Sequence, residues 1–227
     1  MCKHYREDES MEDFALRTVP WLRIPAATAG VEREGYPGRG KRLVRRWRSE
    51  NELVVMRWGL WPFYGKSIKE IQTNARRDSL LTKAIWKESV QVRRCLIPAT
   101  GYFEPGLGPP DARGEVLFTV RDRPAFFMAG LWAEDPDSSG GSGFTMVTTE
   151  PNELAARFHD RMPVVLSDAQ ALEWLGEEPL EEAKLMELCC GLPAEDLVFK
   201  EISAIPKKLV IKRPEKKPPP DDQLSLF

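Results

Sequence analysis

Residues 41–49 read KRLVRRWRS and residues 52–60 read ELVVMRWGL. Both runs are rich in β-branched and apolar side chains, and they flank the polar pair Glu50-Asn51. That pattern predicts two strands joined in a hairpin. Trp58-Gly59-Leu60-Trp61-Pro62 closes the second run, because proline cannot donate to a central ladder. Outward from the hairpin, strand signals return at 92–98 (VRRCLIP), 115–121 (EVLFTVR), 125–132 (AFFMAGLW), 143–149 (GFTMVTT) and 197–203 (LVFKEIS). A loop rich in Asp, Ser and Gly at 134–143 joins the third and fourth of these. Helical spacing is confined to short pieces. One is 78–88, with Asp78 or Ser79 as cap, and another is 151–158. A third opens on the capping box Ser167–Gln170 and ends before Gly176, and a fourth runs from about 180 to 190, where Gly191 stops it. Residues 3–40 read as polar and irregular, with a PGRG turn at 37–40. Helices scattered among many short strands, without regular βαβ alternation, predict an α+β domain. Its core should be a mainly antiparallel, barrel-like β structure with peripheral helices.

At 227 residues the chain can bury a sizeable core. No apolar run approaches the roughly 18 residues of a membrane span, and CKHYREDESMEDF at the start has no signal-peptide core. A cytoplasmic protein without membrane contact is expected. Cys2, Cys95, Cys189 and Cys190 show neither metal-ligand spacing nor a disulfide framework, so no metal or other cofactor is expected. The formal net charge of −2 does not itself call for nucleic acid. Yet RGKRLVRRWR at 39–48 gathers six basic residues around Trp47. Such a run can follow a phosphate backbone and stack bases, or it can be a solvated strand face. From Lys207 the composition shifts to KKLVIKRPEKKPPPDD, an extended tether. The chain therefore divides into a domain at 1–206 and a flexible tail at 207–227.

Chemistry begins at Met1-Cys2. Cysteine is small enough for the initiator methionine before it to be removed. The new terminus would then carry an α-amine (pKa about 7.7–8.0) and a thiol (about 8.5) on one residue. An aldehyde forms an imine with such an amine, and the thiol closes on the imine carbon to give a thiazolidine. The alternative is an ordinary residue in a frayed terminus. His159, in Phe158-His159-Asp160-Arg161, has the side chain suited to proton transfer near neutral pH, or it is structural. Glu104 lies among aromatics and prolines, where poor solvation would raise its pKa, or it is an exposed loop residue. The Asn74 amide could hold a sugar or oxyanion, and Arg76 could pair with a phosphate.

Four phrases in order resemble the SOS-response-associated peptidase (SRAP) family of abasic-site processing proteins. They are Met1-Cys2; MRWGLWP at 56–62 followed by Asn74-Ala75-Arg76; CLIPATGYFEP at 95–105; and HDRMPVVL at 159–166. The resemblance spans most of 1–206. It implies a monomeric sensor of abasic sites in single-stranded DNA, acting in the SOS and DNA-damage response. It implies that Cys2, freed of Met1, forms a thiazolidine crosslink with the ring-opened sugar. In that scheme Asn74 orients the cysteine and sugar, Glu104 shuttles protons, and His159 supports the chemistry and its reversal. Arg76 and Arg161 grip phosphates, and Thr148 contacts the DNA backbone. The implied peptidase activity is removal of the protein's own Met1, beside lyase-type chemistry on the sugar.

This chain also departs from the family pattern. The usual start resembles Met-Cys-Gly-Arg, whereas Lys3 and His4 stand here; His4 could still donate to a phosphate. Pro105 replaces the aromatic that commonly follows the glutamate, so Phe63, Tyr64 or Trp86 is expected to supply the base-unstacking wedge. The final Gln223-Leu224-Ser225-Leu226-Phe227 resembles the bacterial sliding-clamp-binding motif, Gln-Leu-x-Leu-Phe. That likeness implies a clamp partner, and a place at the replication forks of a bacterium or its phage. Two other readings stay open. One is an N-terminal-nucleophile hydrolase acting on peptides through Cys2, Glu104 and His159. The other is a non-catalytic DNA-binding adaptor tethered to the clamp.

Overall fold

The computed structural model describes residues 2–8, 10–25, 28, 30–60, 71–109, 114–134 and 142–202. In chain order they form β1 (His4–Arg6), α1 (Met11–Thr18), β2 (Leu22–Arg23), β3 (Glu34–Gly35), β4 (Gly40–Trp47), β5 (Glu50–Trp58) and β6 (Asn74–Arg76). Next come α2 (Ala84–Lys87), α3 (Ser89–Val92), β7 (Arg94–Ala99), β8 (Gly101–Pro105), β9 (Glu115–Val120), β10 (Phe126–Ala133) and β11 (Gly143–Thr149). The last are β12 (Met162–Pro163), β13 (Val165–Leu166), α4 (Asp168–Leu175), α5 (Glu182–Leu188) and β14 (Leu197–Ile202).

Two sheets make an α+β fold of mainly antiparallel strands. One runs β14-β9-β8-β1-β3, antiparallel throughout. In the other, β11, β10, β7, β4 and β5 pair in succession, and β11 also pairs β5, so the strands close into a ring. The closing pair is parallel, with Gly143 opposite Arg57 and Phe144 opposite Trp58.

The strands read as long apolar runs because both faces are covered. On β10, Phe126, Met128 and Trp132 enter a core shared with Tyr5, Tyr102 and Phe118 of the five-stranded sheet. Phe127, Ala129 and Leu131 enter a second core with Ala15, Val90, Trp174 and Leu188 from the helices. Arg94, at the start of β7, donates to the carbonyls of Val90, Gln91, Trp174, Gly176 and Glu178. One buried guanidinium thereby satisfies carbonyls near the ends of α3 and α4.

The hairpin forms as the sequence predicts, but it turns at Arg48-Ser49 rather than at Glu50-Asn51. Both turn residues have positive φ, 49° and 65°, the signature of a two-residue type I′ turn that matches strand twist. The capping box at Ser167–Gln170 is present in both directions. The predicted helix at 78–88 is instead a 3₁₀ turn at Arg77–Ser79 followed by α2, and neither is capped by a side chain. The predicted helix at 151–158 shrinks to a 3₁₀ turn at Ala155–Arg157. Residues 3–40 hold β1, α1, β2 and β3 rather than an irregular stretch.

The basic run at 39–48 is mostly paired, as neither a phosphate track nor a plain solvated face. Lys41 Nζ lies 2.7 Å from Glu7 Oε1, and Arg42 Nη1 lies 3.4 Å from Glu7 Oε2, with all three side chains buried. Arg45 pairs with Glu52 and sits over the rings of Trp47 and Trp132. Arg46 pairs with Glu177 at 2.6 Å. Burial raises the Glu7 carboxyl and lowers the Lys41 amine from their ordinary values, against their mutual attraction. A buried pair of this kind is strongly destabilising when broken from one side. Lys41→Met should therefore cost about 3–5 kcal/mol in urea unfolding. The double variant Glu7→Leu/Lys41→Met should be more stable than that single variant.

Candidate active site

The residue after the initiator is not frayed. β1 pairs on both edges, with Tyr5 opposite Tyr102 of β8 and opposite Gly35 of β3. Just beyond the strand, the Glu7 amide donates to the Arg33 carbonyl at 3.0 Å, and the buried Glu7 carboxylate is gripped as described. This anchoring draws Cys2, 1% exposed, into the core shared by the two sheets. Its thiol donates toward the His4 and Phe103 carbonyls, at 3.3 and 3.8 Å. Burial first, and the Glu104 charge second, push the thiol far above its ordinary pKa.

Asn74 reaches the same residue from the other sheet. Its Nδ2 donates to the Cys2 carbonyl at 3.0 Å and to Thr73 Oγ1 at 3.0 Å. Asn74 opens β6, which runs parallel to β11 with Asn74 opposite Met146 and Arg76 opposite Thr148. Glu104 comes from β8, beside Phe103, and is 4% exposed. Burial raises its carboxyl to about 7, the chain-terminal ammonium pulls it back, and Asp160 adds a smaller push upward. Glu104 Oε1 and Asn74 Oδ1 are both buried without a hydrogen-bond partner among the described residues. Both oxygens are acceptors that a donor on a bound molecule could satisfy.

His159 follows the 3₁₀ turn at Ala155–Arg157, and its amide donates to the Ala155 carbonyl at 3.0 Å. Burial and then the chain-terminal ammonium lower its pKa, while Asp160 raises it. Two groups compete for Nδ1: the Arg161 amide donates to it at 3.1 Å, and Asp160 Oδ1 lies 2.6 Å away. A neutral ring protonated at Nε2 accepts the amide at Nδ1, whereas a neutral ring protonated at Nδ1 donates to the carboxylate. With the pKa lowered, a neutral tautomer prevails near pH 7. The tautomer that donates to Asp160 is the one whose Nε2 is the basic nitrogen.

The remaining candidates separate into exposed and internal. Arg76 is exposed, and its side chain forms no ion pair or hydrogen bond among the described residues, as an anion contact would require. Arg161 is buried instead, donating to Glu150 Oε1 at 3.0 Å and to the Thr148 carbonyl at 3.1 Å. Thr148 is also buried, and its hydroxyl donates to the Ala75 carbonyl at 3.4 Å. These two residues tie β6, β11 and the His159 segment together. Trp86, 3% exposed, packs in the helix-covered core, because α2 turns that ring inward, so it offers no wedge. His4 is not open to a phosphate either: its two ring nitrogens lie 2.7 Å from Glu34 Oε2 and 3.0 Å from Glu115 Oε1. Phe63, Tyr64 and the tail residues Gln223, Leu224, Leu226 and Phe227 lie outside the described residues.

Sequence reasoning missed Glu7, Thr73, Glu34, Tyr36 and Glu115 as parts of this surround. Only Tyr36 had a local signal, the Tyr36-Pro37-Gly38 turn. Among the described residues no group of three or more His, Cys, Asp or Glu is placed to hold a metal ion. Nor is any described helix long and apolar enough to cross a membrane.

The family described as SOS response associated peptidase (SRAP) matches residues 1–207. The abasic site processing protein YoqW of Bacillus subtilis is 31% identical over 161 residues, covering 69% of this chain and 72% of that protein. The abasic site processing protein YedK of Escherichia coli is 27% identical over 187 residues, covering 78% and 81%. A crystal structure of a Bacteroides thetaiotaomicron protein shares the fold, with a TM-score of 0.75 at 23% identity over 89% of this chain and 93% of that one.

The raised Glu104 carboxyl carries a stability signature. Unfolded, the group ionises near its usual 4.5; folded, it ionises near 7. The unfolded chain therefore loses its proton first, and wild-type stability falls as pH rises through that window. Glu104→Gln escapes the loss. Between pH 4 and pH 8 the stability difference should move in favour of the variant by about 2–3 kcal/mol. Denaturant unfolding at the two pH values measures it, and parallel curves for the two proteins would exclude the raised carboxyl.

Proposed function

This chain belongs to the SOS response associated peptidase family, and from that premise we propose that it captures abasic sites in single-stranded DNA covalently, through Cys2 after loss of Met1. The observation that carries the reading is the convergence on Cys2: the Asn74 amide on its carbonyl, and beside it the buried, orphaned carboxyl of Glu104.

The chemistry follows from the protonation states. Hydrolysis of the Met1–Cys2 peptide consumes one water and releases methionine. The freed amine attacks the aldehyde carbon of the ring-opened sugar. Glu104, close to half protonated near pH 7, delivers a proton to the departing hydroxyl, and one water leaves as the imine forms. The Cys2 thiol adds across the C=N bond: sulfur bonds to carbon and the proton ends on nitrogen. No oxidant or reductant is consumed. Neutral His159, in the tautomer that donates from Nδ1 to Asp160, would be a base for reversal, which runs the same steps backward. Exposed Arg76 would pair with the phosphate beside the sugar. The buried thiol disfavours the peptide-hydrolase reading, in which a thiolate must attack first.

The test is a denaturing gel of the Met1-processed protein with single-stranded DNA carrying one abasic site. A heat-stable protein–DNA band should form with wild type and be absent with Cys2→Ala. Its rate of formation should change with pH around 7, and Glu104→Gln should flatten that dependence and slow the rate by about 10²–10⁴-fold, the usual worth of general acid–base catalysis. No band from a processed protein would send the reading to the adaptor model.

The same reading gives the tail a role. Gln223-Leu224-Ser225-Leu226-Phe227, on its proline-rich tether, would deliver the domain to a bacterial sliding clamp at replication forks. Deleting residues 223–227 should abolish co-elution with purified clamp. Crosslinking of an isolated oligonucleotide should stay at the wild-type rate.

A further inference from the structure

Tyr36, His4 and Phe103 form a stack of three rings across the strands β3-β1-β8. His4 pairs opposite Phe103, and continuing the β1–β3 register beyond Tyr5–Gly35 places Tyr36 opposite His4. Ring centroids are 3.9 Å apart for His4 and Phe103 and 4.4 Å for His4 and Tyr36, with interplanar angles of 10° and 22°. The middle ring is clamped edge-on by the Glu34 and Glu115 carboxylates, and Arg6 holds Glu34 from the other side at 2.8 Å. The outer ring is held by its backbone. The Arg39 amide donates to the Tyr36 carbonyl at 3.1 Å, and Gly38 has φ +86°. Proline second and a positive-φ glycine third make this a type II turn. The Gly38 amide also donates to the Trp58 carbonyl at 2.7 Å, tying the turn to β5.

Tyr36 is 46% exposed with one face covered by His4, so its other face is open. The stack therefore ends in a rigid, pre-oriented aromatic surface on the residue beside His4, two positions from Cys2. Glu34 and Glu115, the carboxylates next to it, are engaged with His4 and Arg6. An open, rigid aromatic face is the chemistry on which a nucleobase stacks.

We propose that Tyr36 is the stacking platform for the nucleobase next to the abasic sugar. This rests on the capture reading above and adds to it a residue that recognises the neighbouring base instead of the lesion. It also supplies the aromatic surface that neither Pro105 nor the buried Trp86 provides.

The experiment uses the full, Met1-processed chain and two single-stranded oligonucleotides with one abasic site each. In one, adenines flank the lesion; in the other, baseless tetrahydrofuran spacers do. The readout is the ratio of crosslinking rates at limiting protein, with equilibrium binding of both oligonucleotides to Cys2→Ala followed by fluorescence anisotropy. Wild type should favour the adenine-flanked strand about tenfold or more, the usual worth of one base–aromatic stack. Tyr36→Ala and Tyr36→Leu should bring the ratio close to one, and Tyr36→Phe should restore it. Because each variant is its own control, a partial folding defect cancels in the ratio. An unchanged ratio in Tyr36→Ala and Tyr36→Leu overturns the platform, as does a ratio lost in Tyr36→Phe. Equal wild-type rates on the two strands overturn it while leaving capture intact. If wild type crosslinks neither strand, capture is what fails; the platform is then decided by whether adding Tyr36→Ala to Cys2→Ala removes the affinity difference.

Discussion

A ring of five strands cannot alternate direction all the way round, and that parity constraint organises this molecule. Four antiparallel neighbours, β11-β10-β7-β4-β5, leave β5 and β11 to close parallel. A parallel neighbour cannot be reached by a tight turn. After Trp58 the chain therefore leaves the ring, and the Leu60–Gln72 bridge closes the excursion. It returns to the same strand as β6, still parallel to β11 but two residues further along, with Asn74 opposite Met146. The closure sets Asn74 and Arg76 beside Thr148. The site is thus assembled where the ring changes partners.

The second requirement is an N-terminus that cannot fray. Three residues of β1 would be a weak strand alone. Both edges are paired, however, and the Glu7–Lys41–Arg42 cluster pins the exit from β1 to β4 of the ring. The buried ion cluster is an expensive fastening by itself. It makes sense as the device that holds Cys2 and Glu104 in a desolvated position, where neither would stay if the first residues were loose.

Legibility in the sequence tracked how local the cause was. The hairpin, the strand runs around it and the Ser167 capping box could all be read, because alternation and caps are set by neighbouring residues. The Arg48-Ser49 turn was hidden because it lacks the Asn-Gly or Asp-Gly pair that normally announces positive φ at two positions. β1 was hidden because it is three residues long and exists only through β8 and β3. Cys2, Asn74, Glu104 and His159 were legible through the resemblance, and the structure gathers the first three around one buried point while the chain terminus links His159 to them electrostatically. Arg161 and Trp86 read as ligand contacts because a guanidinium and an indole look alike in sequence whether they face DNA or the core. Only the Glu150 and Thr148 contacts and the packing of α2 decide between the two.

The burial that conceals Cys2 also orders the chemistry. A cysteine nucleophile is commonly activated by lowering its thiol pKa. Here burial and the Glu104 charge do the opposite, so at neutral pH the sulfur keeps its proton and points it at two backbone carbonyls. A protonated thiol is a poor first attacker but a competent second one, once an imine carbon is fixed beside it. An α-amine, with an ordinary pKa of about 7.7–8.0, is the better first attacker near neutrality. On the capture reading proposed above, the amine would attack first and the thiol second. That order would select for aldehydes, which can accept both groups on one carbon, over amides and esters.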